Sequence, residues 1–298
     1  MAVDIPFRRD LDFNYGEARD LSPLVRRVIA ENPSLFTFRG TGTYIVGRGE
    51  VAIIDPGPDL AGHVAALLDA VKGETVSHIL ITHTHRDHSP AAAAIKQATG
   101  AKTYGFAPHP RREAGAEIEE GGDYDFAPDV LVPHGAVIEG RGWTFEALHT
   151  PGHLSNHLCF ALREENALFS GDHVMGWSTS IVSPPEGDMR AYFVSLRLVL
   201  AREEQLFYPT HGAPVTEPRV LVAALRAHRE EREQQIIETL KAGAKTIPEM
   251  VAIIYRDVDR RLHGAAGRSV LAHLLHLVET GRAQAEGETP EGARYRLP

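Results

Sequence analysis

The run His83-Thr84-His85-Arg86-Asp87-His88 puts three imidazoles and one carboxylate within six positions. Imidazole and carboxylate together suit zinc or a neighbouring transition metal. Val76 to Ile81, just upstream, is mostly apolar and predicts a buried strand. Ser89-Pro90, just downstream, predicts a helix start, with Ser at the N-cap, Pro at the first helical position and Ala91 to Ile95 following. The cluster then falls on a strand-to-helix turn, where α/β proteins tend to place chemistry. A buried strand rarely ends in four ionisable groups unless they are paired or metal-bound.

Other parts of the chain repeat this layout. Trp143 to Leu148 alternates like a strand and runs into Thr150-Pro151-Gly152-His153. Ala167-Leu168-Phe169 ends in Gly171-Asp172-His173, and Gln205 to Tyr208 ends in Pro209-Thr210-His211-Gly212. Val51 to Ile54 ends in Asp55-Pro56-Gly57. Each apolar run leads into a Gly- or Pro-marked turn that carries His or Asp. Strands of one sheet releasing these groups at one edge would gather His83, His85, Asp87, His88, His153, Asp172 and His211. Seven ligands exceed one tetrahedral ion and suit two ions about 3.5–4 Å apart with a shared carboxylate.

The HTHRDH run, TPGH, GD and THG, in this order, resemble the metallo-β-lactamase superfamily over roughly residues 35 to 215. The resemblance implies a four-layer αββα sandwich of the α/β (α+β) class. It implies that His83, His85 and His153 hold one metal and that Asp87, His88 and His211 hold the second. Asp172 would bridge the two, and Asp55 would orient a ligating His from behind. Within the superfamily, Thr41-Gly42-Thr43-Tyr44, Asp55-Pro56-Gly57-Pro58 and GDHVMGW followed by SPPEGDM look like the β-lactamase-like protein 2 group. That group carries a C-terminal winged helix and is related to the glyoxalase II thioesterases. Gly42 stands where much of the group has Asn, a small change if the turn needs a left-handed backbone. Thr210 stands where Gly is more usual.

Length and composition agree with a large domain followed by a small one. The chain has 298 residues, 43% hydrophobic, and no stretch approaches the ~20 apolar residues of a membrane span. The sequence predicts a hydrolase domain over 1–217 and a winged-helix-like domain over 218–298. In the second part, Val220 to Leu240 has helical periodicity, and Thr246 with Glu249 forms a helix-start signature. A helix from about Ala265 to Thr280 follows, then two short segments around Ala283-Ala285 and Tyr295-Leu297. MAVDIPFRRDLDF lacks an apolar signal region, and the single cysteine, Cys159, excludes an internal disulfide; both point to the cytoplasm.

Charge divides unevenly. Residues 218–298 hold 13 Lys and Arg against 11 Asp and Glu, within a chain of net charge −9. A dominant nucleic-acid binder usually shows a marked basic patch. The candidate recognition helix offers Arg268, His273 and His276 only. The small domain therefore reads as a cap on the active-site entrance, with nucleic-acid recognition as the alternative. Apolar helix positions in the tail suit either the larger domain or a second copy in a homodimer.

Two divalent ions, zinc with iron or manganese as alternatives, would bring a bound water toward pKa ~7 and yield a bridging hydroxide for attack on carbonyl or phosphorus. Asp87 and Asp172 are the candidate catalytic carboxylates. His157 is a candidate proton donor to the leaving group, with a strand-end structural role as its alternative. His173, directly after Asp172, points elsewhere. Trp177 and Pro184-Pro185, in the segment from Val174 to Met189, are expected to line the pocket. Three functions fit: hydrolysis of a small acyl thioester or ester, cleavage of single-stranded RNA, and a non-enzymatic winged-helix regulator.

Overall fold

Leu158 to Leu162 is buried at every position because its side chains serve two cores in alternation. Leu158, Phe160 and Leu162 face one core, while Cys159 and Ala161 face another. Val51 and Ile53 are likewise separated from Ala52 and Ile54. Strands buried on both faces read as continuous apolar runs, which explains why these segments are so plain in the sequence.

The computed structural model describes residues 3–109 and 121–298. The first sheet contains β1 (Arg19–Asp20), β2 (Val25–Ile29), β3 (Gly42–Arg48), β4 (Glu50–Ile54), β5 (Thr75–Leu80), β6 (Lys102–Gly105) and β7 (Val130–Leu131), in that spatial order. Pairing is antiparallel from β1 to β4 and parallel from β4 to β7. The first two parallel steps are linked by α1 (Ala61–Ala70) and α2 (Ala92–Thr99). The second sheet contains β8 (Val137–Gly140), β9 (Trp143–His149), β10 (Leu158–Leu162), β11 (Ala167–Gly171) and β12 (Leu206–Pro209), ordered β12-β11-β10-β9-β8. Helix α3 (Met189–Leu200) links β11 to β12, which pair in parallel.

Between the sheets, Tyr44, Ile54 and Leu80 meet Phe145, Phe160, Phe169 and Tyr208. Leu67 and Ile95 of α1 and α2 cover the outer face of the first sheet. Tyr192 and Leu196 of α3 cover the second, together with Leu221 and Leu225 of α4 (Pro218–Lys241). The result is helix, sheet, sheet, helix. The site residues thus come from two facing sheets, not from one. A single sheet edge would spread them along a line, whereas two sheets whose strand ends converge enclose a point.

Helix α4 continues past this core. Its Ile236 and Leu240 join a separate cluster with α5 (Ile247–Ile254), α6 (His263–Glu279) and the hairpin β13 (Gln284–Glu286) and β14 (Arg294–Arg296). Three helices and a two-stranded wing make the winged helix. Thr246 and Glu249 close a reciprocal capping box at the start of α5. The start of α2 differs from the sequence expectation: Ala91, not Ser89, is its N-cap, and no side chain caps it. The Ser89 hydroxyl donates instead to Asp123 at 2.6 Å.

Candidate metal centre

Asp55 sits at the end of β4 with φ +47°, a left-handed conformation that Asp tolerates better than most residues. The turn aims its carboxylate across the end of β5. Its Oδ1 accepts the Thr82 backbone N–H at 2.7 Å. Its Oδ2 accepts the Thr82 hydroxyl at 2.7 Å and the Thr210 hydroxyl at 2.9 Å, and lies 2.9 Å from His88 Nδ1. One carboxylate thereby ties β5, the HTHRDH turn and the end of β12. The Thr210 departure from the family pattern supplies one of these bonds.

The groups behind each imidazole decide which nitrogen is left bare. A carboxylate or carbonyl oxygen only accepts, so the ring nitrogen facing it carries the proton. His88 Nδ1 faces Asp55. His153 Nδ1 lies 2.7 Å from the Ile181 carbonyl, and His211 Nδ1 lies 3.2 Å from the Gly40 carbonyl. His83 Nδ1 is 3.1 Å from the Thr82 hydroxyl, whose hydrogen is already given to Asp55. Each of these four rings is thus anchored through Nδ1 and turns its Nε2 inward. His85 turns its Nδ1 inward, 3.0 Å from His83 Nε2 and 3.1 Å from His153 Nε2.

The three inward ring nitrogens lie 3.0–3.3 Å from one another, close enough for one cation to hold them together. Tetrahedral Zn–N bonds of 2.0–2.1 Å place ligand nitrogens about 3.3 Å apart. On the other side, His211 Nε2 is 3.1 Å from Asp87 Oδ2, and His88 Nε2 is 3.3 Å from the same oxygen. Asp172 lies between the groups: Oδ2 is 3.7 Å from His88 Nε2 and 3.9 Å from His153 Nε2, while Oδ1 is 3.5 Å from His211 Nε2. Among the described residues, three sets of ligand atoms gather closely enough for an ion: His83, His85 and His153; His83, His88 and Asp172; Asp87, His88 and His211. Buried His88 Nε2, His211 Nε2 and Asp172 Oδ1 have no hydrogen-bond partner, so the donor set fits metal ions.

Electrostatics point the same way. Burial, with neighbouring imidazoles, pushes His83 and His85 well below the ordinary histidine range, and burial lowers His153. Burial also opposes charge on His211, but Asp172 and Asp87 outweigh it and raise the ring to about 10. The two carboxylates therefore demand positive charge at the side of the site where they face His88 and His211.

His157 sits enclosed at a strand end. It is fully buried, with Nδ1 2.9 Å from the Thr150 hydroxyl. Its Nε2 accepts the Asp172 backbone N–H at 3.2 Å, so the ring holds the turn that presents Asp172. A side chain at Gly171, where φ is +52°, would collide with this ring: its Cβ would lie 2.6 Å from Nε2. His173 is buried against Tyr192, outside the cluster. Trp177 stacks on Phe38 with centroids 4.8 Å apart, and its ring borders Gly212, next to His211. Gly42 does not occupy a left-handed turn. It opens β3 and donates to the Thr210 carbonyl at 2.8 Å, and a Cβ there would lie 3.0 Å from that oxygen.

Three sets of interactions lie beyond sequence reasoning. The carbonyls of Gly40 and Ile181 set two tautomers, and a carbonyl carries no residue signature. Asn156, which donates to the Thr84 hydroxyl at 2.8 Å and to the Ala107 carbonyl at 3.1 Å, braces the HTHRDH turn. Arg268, His273 and His276 of α6 face inward: Arg268 donates to Ser183 and to the Pro184 carbonyl, His273 is buried, and His276 Nδ1 lies 2.6 Å from Glu233.

Residues 37–211 match the family model of the metallo-beta-lactamase superfamily. The chain belongs to that superfamily. Residues 246–292 match the beta-lactamase associated winged helix domain. This metallo-β-lactamase-fold chain is 32% identical over 258 residues to an atrochrysone carboxyl ACP thioesterase of Aspergillus chevalieri, covering 85% of this chain and 78% of that one. It is 29% identical over 319 residues to the lactamase-like protein adaB of Aspergillus niger, covering 97% and 94%. A beta-lactamase domain protein from Burkholderia ambifaria superposes with a TM-score of 0.80 at 20% identity, over 99% of this chain and 97% of that one. A metallo-beta-lactamase family protein from Thermus thermophilus gives 0.74 at 23%, over 94% and 100%. With thioesterase-named relatives and this ligand set, the metallo-β-lactamase-fold protein is a metal-dependent hydrolase. Among the described residues, no helix is long and apolar enough to cross a membrane.

Proposed function

We propose that the protein is a dinuclear zinc hydrolase acting on the acyl thioester of a small molecule. The observation that carries this reading is the gathering of three overlapping ligand sets from seven His and Asp side chains, with acceptors behind His88, His153 and His211 orienting their rings. Divalent ions held there supply Lewis acidity and a water that ionises near neutral pH. His83, His85 and His153 would hold one ion and Asp87, His88 and His211 the other, with Asp172 placed between the two groups. Asp87 would be the carboxylate at hand to accept the proton released when water attacks. Trp177 and Phe38 form an apolar wall beside His211.

Leaving-group chemistry supports the thioester over a phosphodiester. A thiol has pKa near ~8.5 and departs as thiolate without a proton donor, whereas an alkoxide needs one. His157, the donor suggested by sequence, is enclosed. The relatives named as ACP thioesterases agree with acyl transfer to water. The inward-facing α6 supports a cap role for the winged helix.

The test is turnover by purified protein, with bound metal quantified, on an acyl-glutathione thioester and on a labelled single-stranded RNA in parallel. Thioester hydrolysis that chelation abolishes, that zinc restores and that Asp172→Ala lacks is the expected result. RNA cleavage without thioester turnover overturns the substrate class. Failure to bind metal under any loading overturns the mechanism. Metal analysis separates zinc from iron and manganese.

A further inference from the structure

The segment 173–188 runs from Asp172 to the start of α3 and lies against the metal centre. On its inner side, the Ser180 hydroxyl donates to the Asp172 carbonyl, and the next carbonyl, Ile181, orients His153. On its outer side it is gripped by two arginines from the helices of the C-terminal region. Arg229 of α4 donates to the Ser180 carbonyl, and Arg268 of α6 donates to the Ser183 hydroxyl at 3.3 Å and to the Pro184 carbonyl. Arg229 is 5% exposed, and its guanidinium lies 5.5 Å from the Tyr192 ring centroid. A buried guanidinium needs compensating partners. Here the charge-assisted bond goes to a backbone carbonyl one residue before the one that sets the His153 tautomer.

We propose that Arg229 is a positioning residue for the metal centre, holding the Ser180–Ile181 backbone so that the winged-helix side of the molecule completes the orientation of His153 and Asp172. A ligand imidazole is only as well placed as the acceptor behind it, and losing such an acceptor typically costs 10–100-fold in metal affinity. Arg229 acts one peptide further out, so the lower end of that range applies. The helices that cap the entrance therefore also support the floor.

The inference rests on the metal-centre reading but not on any substrate. Full-length protein is stripped of metal and titrated with Co(II), followed by visible absorption, and with Zn(II) against a competing chelator. Arg229→Gln is compared with Arg190→Ala, which breaks the exposed Arg190–Glu279 pair between α3 and α6 without touching the segment. The expected result is about tenfold weaker binding and an altered Co(II) spectrum in Arg229→Gln, and wild-type behaviour in Arg190→Ala. A folded Arg229→Gln with wild-type affinity and spectrum overturns the proposal, even if its melting temperature falls. Should Arg229→Gln not fold, Arg229→Lys, which keeps the charge but not the guanidinium's reach and geometry, is read the same way, and wild-type affinity and Co(II) spectrum in it overturn the proposal. A wild-type protein that takes up no cobalt is the separate failure of the metal-centre reading and removes both.

Discussion

Asp55 shows how much one side chain does from behind the ligands. Its two oxygens satisfy Thr82 twice, Thr210 once and His88 once. Asn fits the same left-handed backbone, so Asp55→Asn is expected to fold. Its amide has one acceptor oxygen and one donor nitrogen. Whichever way it turns, a donor meets either the Thr82 N–H or the His88 Nδ1–H. The expected outcome is metal affinity about 10–100-fold weaker with secondary structure retained, measured by titration against a competing chelator. Unchanged affinity would mean that the His88 tautomer is set elsewhere. Cys159 is the contrasting case: fully buried, its thiol pushed up to about 12 by burial, it is an inert part of the core.

At the scale of elements, legibility follows from local chemistry. The capping box at α5 is plain because Thr246 and Glu249 are three residues apart and act on each other. Thr246→Ala is expected to cost about 1 kcal/mol, read as a lower midpoint in urea denaturation with unchanged slope. Ser89 carries an equally good local signal but caps nothing. Asp123, 34 positions away, takes its hydroxyl, and α2 starts later without a side-chain cap. A competing partner from a distant segment is invisible to a local rule. The apolar strands are legible because both faces are buried, but that same property hides which of two sheets each strand joins.

Across the whole molecule, α4 is shared by two cores, with Leu221 and Leu225 in one and Ile236 and Leu240 in the other. Glu233, on the same helix, fastens α6 and the start of the wing. It is 2.6 Å from His276 Nδ1, 3.5 Å from His273 Nδ1 and 2.6 Å from Arg282. Burial opposes its charge, but the nearby imidazoles of His273 and His276 prevail and bring the carboxyl down to about 2 from the ordinary 4.5. A depressed folded-state value stabilises above the ordinary pKa and is lost as pH falls through the folded one. Glu233→Gln is thus expected to lose about 2 kcal/mol at neutral pH. The gap to wild type should shrink as pH drops from about 4.5 toward 2, followed by denaturant midpoints across that range. A gap that does not change with pH would assign the loss to packing and not to charge.

The sequence by itself determined the ligand types, their order and the strand-turn signals around them, because those depend on neighbours a few residues apart. It also determined that the chain resembles a family with two such metal positions. Only the tertiary structure decided which nitrogen of each imidazole faces inward, since the deciding acceptors are Asp55, Gly40, Ile181 and Thr82, some of them far along the chain from the ring they orient. It also decided that His157 is enclosed and supports the Asp172 turn, and that Arg229 and Arg268 reach back to the segment beside the centre. Pattern is a property of adjacent residues, whereas tautomer, enclosure and bracing are properties of whatever the fold places opposite them.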